Sequence, residues 1–405
     1  MRASKRLKGL FRNDRGNALM IAAGALPLMM ASAGFAVDTI YLSVMKRQMQ
    51  RAADSGALAG AYALSQDVSA PSAVTRDLTK NKYPALAQAH TVTVGPRLGY
   101  QQTVRVQLRT APYLPFMTMF TKNRAEVTSD STAAIVESGE FCVLSLYNGT
   151  NPGIDIGGNA TLNLGCGVAS NSVGSNAINA FGSSAVTASP VMAVGGLSGS
   201  SNYTGPTKLQ PYAAEQADPF AYVANPPPQT CSNSVSVAPK ETKALSPGCY
   251  ESLEIKGTAT LEPGTYYING GDIDFGSQAQ VTGNGVTFVM TGPNGAAGDL
   301  KMNGQANLNL SAPTSGDYKD ILFYRDRRAA NVEIKINGGA DMVLKGALYF
   351  PSSDVTFTGN AGFSATCFQM VGQILKFRGN ATINNSCSTY GNLPTFRLKF
   401  VRLVQ

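Results

Sequence analysis

Histidine occurs once in this chain, at His90. A Ser–His or Cys–His nucleophilic pair would have to be built on it, because such pairs need a base beside the nucleophile. His90 lies between an Ala-rich stretch and an alternating one and reads as a turn histidine. A zinc centre has too few histidines to draw on, and none of the six cysteines forms a C-x-x-C pair. No phosphate-binding G-x-x-x-x-G-K-[ST] run is present, and no G-x-G-x-x-G opens a helix after a strand. The remaining groups are carboxylates with nearby arginines. Asp272 and Asp274 have period-2 spacing and would share one strand face. Asp317, Asp320, Arg325, Asp326, Arg327 and Arg328 gather over twelve positions. Polysaccharide cleavage uses such carboxylates as general acid and base. The competing reading makes them solvated corner charges, with YRDRR (324–328) a turn, an exposed strand end or a binding patch. The balance favours a non-enzymatic chain with no cofactor and no catalytic or metal-ligating residues.

The elements that carry these residues repeat. One phrase, a short β-branched run followed by Gly-Asn or its like and then Ala-x-apolar, recurs at 154–162, 253–261, 273–281, 300–308, 334–342, 355–363 and 375–383, with a looser copy at 182–186. Its alanines are Ala160, Ala185, Ala259, Ala279, Ala306, Ala340, Ala361 and Ala381, mostly 20 to 34 residues apart. A single short strand cannot bury its own face, so such units must stack. Rungs of this length with Gly and Asn at the corners predict a right-handed parallel β-helix. Asn159, Asn360 and Asn380 share a corner and could form an amide ladder. Cys166, Cys367 and Cys387 each stand eight residues after the phrase glycine. Strands on successive rungs lie ~4.8 Å apart, within disulfide reach, so the register pairs Cys367 with Cys387. Cys142–Cys166 is the matching pair at the start, and Cys231–Cys249 follows by elimination. Residues 187–247 interrupt the repeat and read as a loop insertion whose ADPFAYV segment (217–223) docks on the solenoid. The tail 391–405 alternates Phe396, Leu398 and Phe400 with Arg397 and Lys399 and is expected to cap the last rung.

Upstream, the composition differs. Asn17–Val37 is 21 residues without a charge, enough to span a bilayer as a helix. It runs into an Ala/Gly-rich stretch expected to stay helical over 38–88, with a break at Pro71 and an end near Pro84. TVTVG (91–95), QTVRVQLRT (102–110) and AEVTSDSTAAIV (125–136) read as half-buried antiparallel strands, with Val104, Val106 and Leu108 on one face. The apolar APYLPFMTMF (111–120) reads as a buried loop or short helix. Residues 1–15 carry a net +5 of the chain's +8. That asymmetry places the N-terminus in the cytoplasm and argues against a nucleic-acid surface. Ala31-Ser32-Ala33 would also serve as a signal-peptidase site. Both readings export residues 38–405, and six cysteines suit an oxidising compartment.

The stretch RNDRGNALMIAAGALPLMMASAGFAVDTIYLSVMKRQMQRAADSGALAGA resembles the N-terminal segment of TadE/TadG-like proteins of the tight-adherence (Flp) pilus. The basic RNDRGN lead, the apolar span, Asp38 just past it and the Gln50-Arg51-Ala52-Ala53-Asp54 opening of the Ala/Gly run carry the likeness, over about 50 of 405 residues. The resemblance implies a pilin-like helix laid on a small sheet and a role in pilus assembly. It makes Gly16 and Asn17 a candidate prepilin cleavage site. Ile21 stands where related pilins carry Glu, which points to the branch where the segment serves as an anchor. A von Willebrand-type metal motif is not matched: Asp67-Val68-Ser69-Ala70-Pro71 fails at its last place and Asp130-Ser131-Thr132 at its third.

The expected plan is therefore a basic lead (1–16), a transmembrane helix (17–37), a pilin-like α+β region (38–140), the β-helix (141–390) and the capping strand (391–405). Ala52, Ala53, Gly56, Ala59 and Gly60 would form a close-contact face for other helices or for the chain's own strands. The expected partners are the inner membrane, other Tad/Flp pilus components and, for a surface-binding role, glycans. The expected location is the inner membrane, single-pass, with the bulk of the chain periplasmic or extracellular.

Overall fold

In the computed structural model the described residues are 14–81, 86, 90–122, 124–227, 229–231, 233–338, 342–359, 362–365, 368–385 and 397–404. The chain divides into two compact units, Met1–Val136 with Val401–Gln405, and Glu137–Phe400.

Unit 1 begins with one helix, α1 (Asp14–Ser65), 52 residues long with Pro27 inside it. At ~1.5 Å per residue it is about 78 Å long. It stops at a turn in which Asp67 takes a positive φ of 57°. A second helix, α2 (Ala70–Lys80), follows with Pro71 in its first turn. The expected break at Pro71 is thus a start. Proline at the head of a helix removes an N–H that has no intrahelical partner anyway. The strands β1 (His90–Arg97), β2 (Tyr100–Thr110) and β3 (Val127–Ser145) pair antiparallel in that order. Val104, Val106 and Leu108 turn inward as their alternation requires and are buried. β3 runs straight through the expected boundary at 140. The 111–120 segment forms a 3-10 turn at Met117–Met119. Only part of it is buried: Leu114 is, while Tyr113, Met119 and Phe120 are 65%, 76% and 69% exposed.

Unit 2 is mostly short parallel strands whose inward residues form one large apolar cluster, with a second cluster around Phe220, Tyr324 and Tyr349. One sheet holds ten strands. In spatial order they are Leu197–Ser198, Ile178–Ala180, Ile154–Ile156, Leu375–Gly379, Asp354–Gly359, Glu333–Gly338, Leu300–Met302, Ile273–Phe275, Leu253–Ile255 and Val235–Val237. The order is not that of the chain. The chain enters at the middle, steps outward from 154 to 198, crosses to the far end, and steps back until Leu375 pairs with Ile154. The other sheets follow the same order: Thr382–Asn385 pairs with Thr161–Leu164, and Phe368–Gly372 with the end of β3. Val143–Ser145 therefore sits beside Met370–Gly372.

Two expectations change as a result. Residues 187–247 are not one loop, since Val191–Ala193, Leu197–Ser198, Leu209–Gln210, Val235–Val237 and Thr242–Leu245 all pair in register with neighbouring strands. Among the described residues, the strand-free stretch is 211–234. The tail does not cap the last rung, because Leu375–Phe377 already has Ile154–Ile156 on its open side. Its strand, Arg397–Leu403, instead leads to Val404, whose N–H donates to Thr132 O at 2.9 Å in unit 1.

The repeat phrase marks the corners. Ala160, Ala279, Ala306 and Ala381 are buried just before the second strand of their rungs. Two copies shift. Ala259 pairs with Val281 rather than matching Ala279, because its corner is two residues shorter; an even shift keeps the same face inward. Ala185 pairs with Thr161, so the buried Ser184 fills the place of Ala160. Ala340, Ala361 and Asn360 lie outside the described residues. The amide ladder is present where it is described: Asn159 donates to Asn380 Oδ1 at 2.9 Å and Asn163 to Asn384 Oδ1 at 3.0 Å. Cys142–Cys166 and Cys231–Cys249 are bonded, with Cα atoms 5.8 and 5.4 Å apart. Closing loops of this size stabilises by about 3 kcal/mol each. Cys367 and Cys387 lie outside the described residues.

Candidate functional site

The small-residue face of α1 lies inside unit 1. Ala52, Ala53, Gly56 and Gly60 are buried among Val74, Leu78, Val104, Val106 and Leu108. A Cβ on Gly60 would lie 2.8 Å from both Val104 Cγ1 and Val74 Cγ2, so the helix approaches α2 and β2 only because that side chain is absent. Ala59 is half-buried and off the face. Ala57 and Ala61, fully buried, complete it. Continuing the doublet spacing 52–53, 56–57, 60–61 would have found them. Polar groups hold the same helix to β3: Gln50 donates to Asp130 O at 3.1 Å and to Asp54 Oδ1 at 2.8 Å, and Lys46 reaches Thr128 O. Beside them the Arg105 guanidinium, hydrogen-bonded to Asp130, holds that carboxyl below the usual carboxylate range. His90 opens β1 and shares a 3.0 Å hydrogen bond with Thr75 of α2.

The first half of α1 is the reverse. Leu28, Met29, Met30, Val37 and Ile40 are 56% to 73% exposed. The helix is long and apolar enough to cross a membrane. Gly16 and Asn17 fall within its first turns.

In unit 2 the charged cluster is spent on structure. Arg325, 1% exposed, donates to Ala297 O and Ala330 O at 3.0 Å and to Ser353 Oγ at 2.8 Å. Asp326 is fully buried and accepts from Thr291 Oγ1 at 2.7 Å, from the Arg328 N–H at 2.9 Å and from the Arg328 guanidinium at 2.6 Å. Burial pushes its pKa up, but the hydrogen bonds from Arg328 and Thr291 outweigh that and leave it lowered. Arg327 donates to Phe220 O at 3.0 Å and Ala221 O at 3.2 Å, while Tyr349 Oη donates to Asp218 Oδ2 at 2.7 Å. Phe220, fully buried, packs edge-on to Tyr349. The expected docking of 217–223 is thus made by Arg327 and Tyr349, the former from the run read as a binding patch. YRDRR is a buried strand end, Tyr324–Arg325, running into the expected turn at 327–328: Arg325 and Asp326 are buried, Arg327 is half-buried and Arg328 is exposed. Asp272 is exposed and tied to the Asp299 N–H at 2.8 Å and to Lys301 at 3.4 Å. Asp320 is buried at a positive φ of 64° beside Lys319, and burial raises its pKa. Among the described residues no three His, Cys, Asp or Glu side chains gather as a metal site.

These features define a chain with one N-terminal helix fit to cross a membrane, joined to a mostly β remainder of parallel strands. Residues 16–63 match the Tad family, Flp pilus-assembly TadE/G-like. Neither curated proteins nor solved structures give a match to the chain.

Proposed function

We propose that this protein is a structural, membrane-anchored component of Flp-type pilus assembly. α1 crosses the inner membrane once with its N-terminus in the cytoplasm. Residues 137–400 lie outside as a parallel β-helix, and other Tad/Flp components are the partners. The observation that carries this reading is the switch along a single helix. Its first half is bare and apolar, its second half is clasped in a small α+β unit, and the TadE/G-like match spans both. In-register parallel strands whose inward residues share one large apolar cluster support the β-helix. The disulfides Cys142–Cys166 and Cys231–Cys249 favour an oxidising compartment. A non-enzymatic role is favoured because Arg325, Asp326, Arg327 and Arg328 are engaged in holding the fold. The test is to fractionate cells and determine the native N-terminus by mass spectrometry. An intact N-terminus in the inner-membrane fraction supports anchoring. A start after Gly16 would make the chain a processed subunit, and a soluble chain starting at Gly34 would sink the anchor.

A further inference from the structure

The segment 111–120 carries three exposed large apolar side chains, which a loop facing water would not be expected to keep together. Its place on α1 gives the reason. Asp38, the first acid after the uncharged run, is 2% exposed, and its Oδ2 accepts the Met117 N–H at 2.7 Å. One turn earlier, Gly34 lies under the Phe116 ring so closely that a Cβ would fall 2.3 Å from Phe116 Cδ1. Phe35 and Phe120 stack with centroids 5.3 Å apart, yet both stay exposed, at 41% and 69%. The loop is therefore pinned to α1 at the level where its apolar run ends, and the Phe35–Phe120 pair joins the loop to the helix's bare apolar surface. Two exposed cations, Lys122 and Arg124, follow directly.

We propose that Tyr113–Phe120 is a membrane-interface element. It seats Phe120, Met119 and Tyr113 in the headgroup–acyl boundary of the bilayer that α1 crosses, and so fixes the depth of the helix. This rests on the reading of α1 as a span. Tyrosine is enriched at that level, and a short element with Phe-type apolar side chains on one side and Lys or Arg beside them suits the headgroup–acyl boundary of an anionic bilayer. A lipid surface fits better than a protein groove because the apolar patch continues the lipid-facing side of the span and sits at its end. Asp38 acts as the tether: burying a carboxylate is costly unless it is hydrogen-bonded, and here it accepts a backbone N–H of the loop.

The chain contains no tryptophan, so single-tryptophan variants report without background. Full-length Phe120→Trp, Leu28→Trp and Val94→Trp would be reconstituted in phosphatidylcholine–phosphatidylglycerol vesicles carrying bromine either near the headgroup or near the chain end. We expect Leu28→Trp to be quenched by the deep label and Phe120→Trp by the shallow one. Val94→Trp, exposed on β1, should be quenched only by aqueous iodide. Adding Asp38→Ala to Phe120→Trp should remove most of the shallow quenching. Adding Gly34→Val, which drives Phe116 off the helix but keeps the carboxylate, should do the same. If Phe120→Trp behaves like Val94→Trp while Leu28→Trp stays deep, the interface element is wrong and the span stands. If Leu28→Trp meets neither bromolipid, the span itself falls and takes this proposal with it. Protection of Phe120→Trp that rises with protein density, without quenching by either lipid, would identify a protein contact and overturn the lipid assignment.

Discussion

The two units bring backbones together by opposite means. In unit 1 the contact is made by leaving side chains out: Gly56 and Gly60, with Ala53, Ala57 and Ala61, let α1 lie directly on α2 and β2. In unit 2 it is made by filling. Tyr266, Phe288 and Phe323 occupy matching positions on three successive strands, the last two rings stacked at 4.9 Å, while Arg325 and Asp326 fill the corner beside them with hydrogen bonds. A void-free contact between small residues needs only the right spacing along one helix. A filled stack needs every rung in register with a rung elsewhere in the chain. The two units should therefore fail differently when altered.

The largest effect is expected in the filled corner. Asp326→Ala strips partners from Thr291 Oγ1 and the Arg328 N–H, and it removes a charge near Arg325, whose guanidinium burial already holds below its usual pKa. Removing one member of such a buried set costs about 3 kcal/mol or more. The urea midpoint of unit 2 should fall while the unit 1 transition stays in place. The acid limb should change too. Asp326 has a lowered folded pKa, so its contribution is fully present above the ordinary Asp value of about 3.9 and is lost as pH falls through the folded value. Wild type should lose stability below about pH 4 more steeply than Asp326→Ala. Equal acid limbs would mean that the corner does not hold this carboxylate charged.

A smaller effect is expected on the emptied face. Gly60→Val places a branched side chain where even a Cβ meets Val104 and Val74 at 2.8 Å. Overpacking of this kind costs roughly 1 to 3 kcal/mol. Loss should appear in unit 1 alone, by hydrogen exchange of α2 and β2. A neutral result would show that the helix can retreat and that the face is no fixed contact.

The contrast also accounts for what could be read in advance. The apolar run, the inward Val104–Val106–Leu108 stripe and the small-residue face are patterns of three or four positions, and local spacing states them directly. The repeat phrase, too, is local, so the strands and most of their corners were legible. The order of stacking was not. Nothing near Ile154 indicates that Leu375 lies on its other side, because all rungs present the same inward alternation and any pair could stack. The burial of Arg325 and Asp326 is not legible for a related reason. YRDRR looks exposed by composition, as Arg328 is, but Arg325 and Asp326 are buried, and Arg327 meets the Phe220 and Ala221 carbonyls that a segment about 100 residues earlier supplies.

The smallest predicted effect tests that stacking most directly. Asn159 and Asn380 are 221 residues apart, and their 2.9 Å hydrogen bond exists only if the first rung closes on the last. Each single alanine substitution should cost about 0.5 to 1.5 kcal/mol, as for an ordinary hydrogen bond between neutral groups. The informative quantity is the coupling. In a double-mutant cycle, substitutions without shared partners add to within about 0.5 kcal/mol. Asn159→Ala with Asn380→Ala should cost less than the two singles together, since the second loss removes nothing further from the pair. A solenoid stacked in chain order would instead place the two asparagines on rungs that do not touch, and the two costs would add. Because the exposed corner leaves both amides open to water, the coupling will be small. Its presence, rather than its size, is what separates an interleaved stack from a sequential one.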